Sequence, residues 1–142
     1  MTRTDELARQ FIDLTDRGEW AAREALTTED CTLVTPVGVF MGPAAGTAFS
    51  RPFTGAFSDA HHHIDLVVAD GRAAAVEGVW IGTHTNPLPT PDGDVPATGK
   101  VLNLPYTVTV QVRDGLISDV HVYFDQLGFL AQLGLLPVPQ TA

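Results

Sequence analysis

The stretch Ser118-Asp-Val-His-Val-Tyr-Phe-Asp-Gln-Leu-Gly-Phe-Leu-Ala-Gln-Leu-Gly-Leu135 changes its period partway along, and that change decides the fold. Its first half alternates. His121, Tyr123 and Asp125 fall on one face, and Val120, Val122 and Phe124 on the other, which is the pattern of a strand between two different environments. The apolar face packs on a core; the other meets water, a partner or a pocket. Leu127, Leu130 and Leu133 then follow at threefold spacing and predict a short helix, stopped by Gly134 and Pro137. Asp125 stands at the junction. Two roles fit it: an N-cap that accepts the free N–H groups of the first helical turn, or a pocket carboxylate that handles a proton.

Working outward, further strands are predicted upstream. His62 to Asp70, Ala73 to His84, Lys100 to Arg113 and Leu116 to Asp125 read as strands, with Asp70-Gly71 and Asp114-Gly115 as hairpin turns. Thr85 to Thr98 is a Pro- and Gly-rich loop too long for a tight hairpin, a candidate lid or dimer element. The first sixty residues read differently. Thr4 to Arg17 predicts an amphipathic helix with a stripe of Leu7, Phe11 and Leu14, widened by Ala8 and Ile12 and ended by Gly18. Trp20 to Leu26 predicts a second short helix. Cys31 to Thr35 and Val39 to Met41 are short strands around Pro36 and Gly38. Gly42-Pro43 opens a third helix, in which Phe49, Phe53 and Phe57 share a face and Pro52 is expected to kink or break the chain. Helices first and long antiparallel strands afterwards predict an α+β domain, with helices on one face of a curved sheet.

The bulk numbers bound the function. A chain of 142 residues, 44% hydrophobic and 18% charged, is a single globular domain over 1–142. A formal charge of −9 argues against nucleic acid or an anionic membrane as partner and leaves neutral or cationic small molecules and proteins. The single cysteine, Cys31, allows no intrachain disulfide and reads as a buried small hydrophobe. The polar start, Met-Thr-Arg-Thr-Asp-Glu, has no signal-peptide core, and no segment is apolar enough to span a membrane, so a cytoplasmic protein is expected.

Several stretches together resemble one family. They are Arg51-Pro-Phe-Thr-Gly-Ala-Phe-Ser-Asp59, Gly82-Thr-His-Thr85, Pro96-Ala-Thr-Gly-Lys100, Val112-Arg-Asp-Gly-Leu-Ile117 and Tyr123-Phe-Asp-Gln-Leu-Gly-Phe-Leu-Ala-Gln-Leu-Gly134. The chain is similar to the SnoaL-like polyketide cyclase and ester cyclase branch of the nuclear transport factor 2-like superfamily. The resemblance implies a cone-shaped α+β fold: three N-terminal helices on a strongly curved mixed or antiparallel sheet that encloses a pocket, with a short C-terminal helix. It also implies a homodimer through the open sheet face. In such cyclases an aspartate, helped by a histidine, closes a ring by aldol chemistry. His84 matches the family histidine, and Asp125 matches a pocket aspartate of related epoxide hydrolases. Val108 stands where the family often carries its acid, and Ile81 where it commonly carries an arginine.

The expected site follows from these readings. His84 and Asp125 are the candidate acid/base pair, the carboxylate orienting the imidazole. Trp80 shares a strand face with His84. Tyr106 or Tyr123 could polarise a carbonyl, with His121 beside Tyr123. Phe40, Phe53 and Phe57 are candidate apolar contacts. His61, His63 and Asp65 alternate onto one face at metal-ligand spacing, but the resemblance implies neither metal nor cofactor, and a solvated or dimer-facing strand is the better reading. The expected function is cofactor-independent proton transfer on a hydrophobic, carbonyl-bearing small molecule: aldol cyclisation or a related isomerisation or hydrolysis. A non-catalytic binding protein on the same scaffold is the alternative.

Overall fold

The computed structural model describes residues 3–136, so Pro137 lies outside the described residues. Helix α1 spans Arg3–Asp16, and it buries Leu7, Ala8, Phe11, Ile12 and Leu14, the predicted stripe. Asp5 and Glu6 lie in its first turn, where carboxylates oppose the positive end of the helix. Helix α2 is a single short turn, Trp20–Glu24. Strands β1 (Thr27–Thr35) and β2 (Gly38–Met41) follow, then α3 (Pro43–Ala56). The long strands are β3 (His61–Ala69), β4 (Ala73–Thr83), β7 (Val101–Arg113) and β8 (Leu116–Phe124), and α4 (Gln126–Gln132) ends the described chain. No helix among the described residues is long and apolar enough to cross a membrane.

The main sheet has six strands in the order β2-β1-β8-β7-β4-β3. All neighbours are antiparallel except β1 and β8, which run parallel. The sheet is therefore mixed, and helices α1 to α3 pack against its inner face, the α+β architecture expected. Val76 lies opposite Val108 and Val110 opposite Val120, all buried beneath α1. The apolar face of β8 points inward, as its alternation requires. His121 and Tyr123 take the outer face, where Tyr123 is half exposed.

Three local features differ from the sequence expectation. Helix α3 runs through Pro52 without a break. The lost backbone bond is offset by a file of rings along one face: Phe40–Phe49 at 4.9 Å, Phe49–Phe53 at 5.3 Å and Phe53–Phe129 at 6.0 Å. The loop from Thr85 to Thr98 contains a small hairpin, β5 (Leu88–Thr90) with β6 (Gly93–Val95). Leu88 is buried in the second core cluster with Phe57, Leu102 and Phe129, which fastens the hairpin to the body. Of the two Asp-Gly turns, Asp114-Gly115 has positive φ at both residues. The other is closed by the Asp70 carboxylate, which accepts from the N–H groups of Arg72 and Ala73.

Strand β3 carries a bulge that matters for the site. Ile64 lies opposite Gly78 and Leu66 opposite Glu77, so Asp65 is an extra residue. Before the bulge the inward residues are His62 and Ile64; after it they are Val67 and Ala69. Gly78 makes this possible. A Cβ on it would meet the His63 carbonyl oxygen at 2.0 Å and the Tyr106 hydroxyl at 2.8 Å. Tyr106 lies across this point with its hydroxyl sealed from solvent and without a hydrogen-bond partner among the described residues. Burial, with the negative charges of Asp16 and Asp65 nearby, pushes its phenol up to about 12.

Two outcomes are expected. Gly78→Ala should cost about 2–4 kcal/mol in urea unfolding, because backbone rather than a flexible side chain must move. Gly55→Ala, exposed in α3 with nothing near the added methyl, should instead gain up to about 1 kcal/mol. Secondly, absorbance titration of the phenols should show a component near pH 12 that Tyr106→Phe removes. An acid with a raised folded pKa stabilises the fold fully below its ordinary value of 10 and loses that contribution as pH climbs through about 12. Tyr106→Phe should therefore flatten the alkaline loss of stability.

Candidate functional site

Between the inner sheet face and helices α1 to α3 lies a cavity of about 110 Å³. Its walls are mostly apolar: Leu33 from β1, Phe49 and Phe53 from α3, Val122 and Phe124 from β8, and Phe129 from α4. A few polar side chains converge on it, namely Thr15, Arg23, Ser50, Thr54 and His62. An apolar chamber with a small polar set is the usual form of a small-molecule site.

His62 is the inward histidine of the His61–His63 run. Its backbone N–H donates to Asp16 Oδ2 at 2.8 Å, and its ring Nδ1 lies 2.6 Å from Asp16 Oδ1. A carboxylate accepts, so the proton sits on Nδ1 and the lone pair on Nε2. Nε2 is engaged by no hydrogen bond among the described residues. The pair is mostly buried, with 17% and 19% of the two side chains exposed. The His62 ring stands edge-on to Tyr106 with centroids 4.9 Å apart. A carboxylate-held imidazole with a free Nε2 is the arrangement of a general base.

Arg23 reaches the cavity from α2 and is only 5% exposed. It donates to Thr15 Oγ1 at 3.0 Å, Ser50 Oγ at 3.0 Å and the Gly46 carbonyl at 3.4 Å. Burial pulls its pKa down to about 10, so the group keeps its charge at neutral pH. Thr15 and Asp16 are consecutive, so the last turn of α1 holds both Arg23 and His62.

The predicted residues separate into groups. Trp80, Phe53 and the ring of Tyr106 line the cavity, although the Tyr106 hydroxyl does not open into it. Phe57 is fully buried behind Trp80, 5.0 Å away, and Phe40 packs at a tilt against Phe49; neither lines the cavity. The structure does not bring His84 and Asp125 together as a pair. His84 is fully buried, stacked on Phe57 at 5.0 Å and outside the cavity wall. Its Nδ1 accepts from the Thr98 N–H at 3.2 Å and meets the Thr98 hydroxyl at 3.0 Å, which puts its proton on a buried Nε2 with no hydrogen-bond partner among the described residues. Burial lowers its pKa, against a smaller opposing effect of the Asn86 backbone. Asp125 caps α4, accepting from Gly128 N–H at 2.9 Å.

The outer face carries the remaining candidates. His121 Nδ1 and Tyr123 Oη lie 3.2 Å apart there, away from the cavity. His63 and Asp65 pair on the exposed side at 3.2 Å. Among the described residues no three metal-binding side chains are grouped to hold an ion. Val108 lines the cavity, so its wall has no acid at that position, and Ile81 pairs with His61 at the β3 side.

Sequence reasoning missed Asp16, Arg23 and His62. One signal was present for His62: it shares its alternation phase with Ile64, so that phase and not that of His61 and His63 faces the core. Asp16 and Arg23 gave none, since a carboxylate at a helix end and an arginine in a short helix both read as solvated.

The comparisons agree with this fold. The SnoaL-like domain profile matches residues 8–120. No curated protein shows a matching sequence. A candidate polyketide cyclase of Xanthomonas campestris pv. campestris superposes with a TM-score of 0.80 at 27% identity, over 92% of this chain and 96% of that one. A candidate polyketide cyclase of Pseudomonas putida KT2440 gives 0.73 at 26% identity, over 93% and 98%. A Catenulispora acidiphila protein of ketosteroid isomerase-like fold, in complex with trimethylamine, gives 0.74 at 19% identity over 93% and 95%, a likeness of fold alone. With the profile spanning most of its length and the fold in accord, the chain belongs to the SnoaL-like domain family.

Proposed function

We propose that this domain binds a hydrophobic, carbonyl-bearing small molecule in the cavity and moves a proton on it without a cofactor. The carrying observation is the Asp16–His62 pair at the wall of an otherwise apolar chamber. Nε2 of His62 takes a proton from the carbon beside a carbonyl, and the electron pair moves onto the carbonyl oxygen as an enolate. The imidazolium that forms is stabilised by Asp16. The polar corner of Arg23 and Ser50 offers donors for an oxygen of the ligand; the Thr15 hydroxyl is already given to the Phe11 carbonyl. Ser50 Oγ already accepts from Arg23, so its own O–H remains to be donated. Return of the proton to another carbon gives isomerisation; attack of the enolate carbon on a second carbonyl of the same molecule gives aldol cyclisation. The cyclase-like neighbours support this class of chemistry. Pairing of two copies through the outer sheet face, where Val68, Val101 and Tyr123 are exposed, is part of the same proposal.

A second reading, a binding protein without turnover, is favoured by Val108 at the position where the family often has its acid. Deuterium exchange separates the two. The wild-type protein should accelerate exchange at the acidic carbon of 2-tetralone in deuterium oxide, read by NMR. His62→Gln should lower that acceleration by about 10² to 10⁴, the range for removal of a general base. Asp16→Asn should lose about 10-fold or more through misorientation of the ring. His84→Gln, compared at a temperature where it is folded, should stay within about twofold. Binding of 2-tetralone with no acceleration above buffer would establish the binding-protein reading instead.

A further inference from the structure

Arg23 is a buried cation that no carboxylate touches among the described residues, although Glu24 attracts it from a distance. No salt bridge joins it to a carboxylate among the described residues. Its neighbour Glu24 is turned to Thr47, accepting from that hydroxyl at 2.6 Å. The guanidinium has only neutral acceptors, and the rings of Phe11 and Trp20 lie 4.4 and 5.2 Å from it. Nε donates to nothing among the described residues. A charge taken out of water is costly unless it is paired. Of the two hollows that Arg23 lines, the smaller, about 20 Å³, also has Glu24 in its wall, and only the cavity has room for an organic ligand. His62, the other group in the wall able to carry a positive charge, already has Asp16.

We infer that the cavity takes a monocarboxylate with an apolar body, its carboxylate seated on Arg23 and the Ser50 hydroxyl. This rests on the proposed reading of the cavity as the ligand site and names the acid class of the ligand. Three of the five guanidinium N–H groups are engaged, and Nε–H remains for a charge-assisted hydrogen bond to one carboxylate oxygen, while Ser50, polarised by Arg23, supplies a donor for the other. The body lies among Leu33, Phe53, Val122 and Phe124. A second carboxylate would find no cation among the lining residues, so monoacids are selected over diacids. The net charge of −9 does not oppose this. Surface charges are screened beyond about 8 Å at physiological salt, while contact with a buried guanidinium is not.

The test uses benzoate and its neutral isostere benzamide, with affinities measured by NMR titration at neutral pH. Wild-type protein should bind benzoate at least about tenfold more tightly, as expected for charge-assisted hydrogen bonds. Arg23→Gln should reduce the preference to within about twofold, and Arg23→Lys should fall between. In the wild-type protein, where folding is not in question, benzoate should shift the Arg23 Nε–Hε resonance much further than benzamide does. Phthalate should bind more weakly than benzoate. Equal affinities, a preference that survives Arg23→Gln, or an unmoved Arg23 resonance would each overturn the inference. Equal affinities would also be the result if Arg23 served only a transient oxyanion. The two readings fail separately. Benzoate preference without His62-dependent exchange sinks the acid/base chemistry and leaves the acid site standing; His62-dependent exchange without benzoate preference does the reverse.

Discussion

The structure depends on a close approach between two backbones at Gly78. A Cβ there would fall 2.0 Å from the His63 carbonyl oxygen, nearer than atoms tolerate, so only glycine admits the bulged β3 against β4. The bulge has two consequences. It changes the phase of β3, so His62 and Ile64 face inward ahead of it while Val67 and Ala69 do so behind it. A strand in regular alternation would bury one pair and expose the other. It also roofs the Tyr106 hydroxyl, which is why that tyrosine serves the cavity with its ring and not with its oxygen. The site is thus placed by an absent methyl group as much as by any side chain within it.

The two inner histidines show how little residue type settles by itself. His62 has its Nδ1 proton on a carboxylate and Nε2 free. In His84 the lone pair of Nδ1 is taken by Thr98, and the proton is left buried on Nε2. One ring is poised to accept a proton, the other has no free lone pair. Arg23 makes the complementary point in energy. A guanidinium brought from 12.5 to about 10 and still charged at neutral pH costs folding about 3 kcal/mol. A methionine-sized apolar side chain would fill such a position more cheaply, so stability does not account for a charge there.

Much of the fold was legible because it rests on period. The β8 alternation gave the inward face of Val120, Val122 and Phe124, and the α1 stripe gave its buried side. Asp125 was legible as a cap, since a carboxylate between strand and helix has that use ready. The site was not legible, for a physical reason. Asp16 and His62 meet across 46 positions, Arg23 and Ser50 across 27, and neither pairing leaves a mark on local spacing. The candidates with visible local patterns, His121 and Tyr123, lie on the outer face. Pro52 failed as a helix breaker because the ring contacts along α3 outweigh one missing backbone bond.

The parallel pairing of β1 with β8 bears on how the chain is made. Thr27 lies beside Ile117 and Val34 beside His121, so β1 and β2 join the rest of the sheet only when its end has been synthesised. Until then β1 and β2 form an isolated two-stranded ribbon, marginal by itself. Closing so long a loop is slow relative to the local β3–β4 and β7–β8 hairpins. The chain would fold from its C-terminal meander backward, with β1 docking last and the cavity wall from Leu33 completed in the same step. On a ribosome, the exposed β1 edge would be the segment in need of a chaperone.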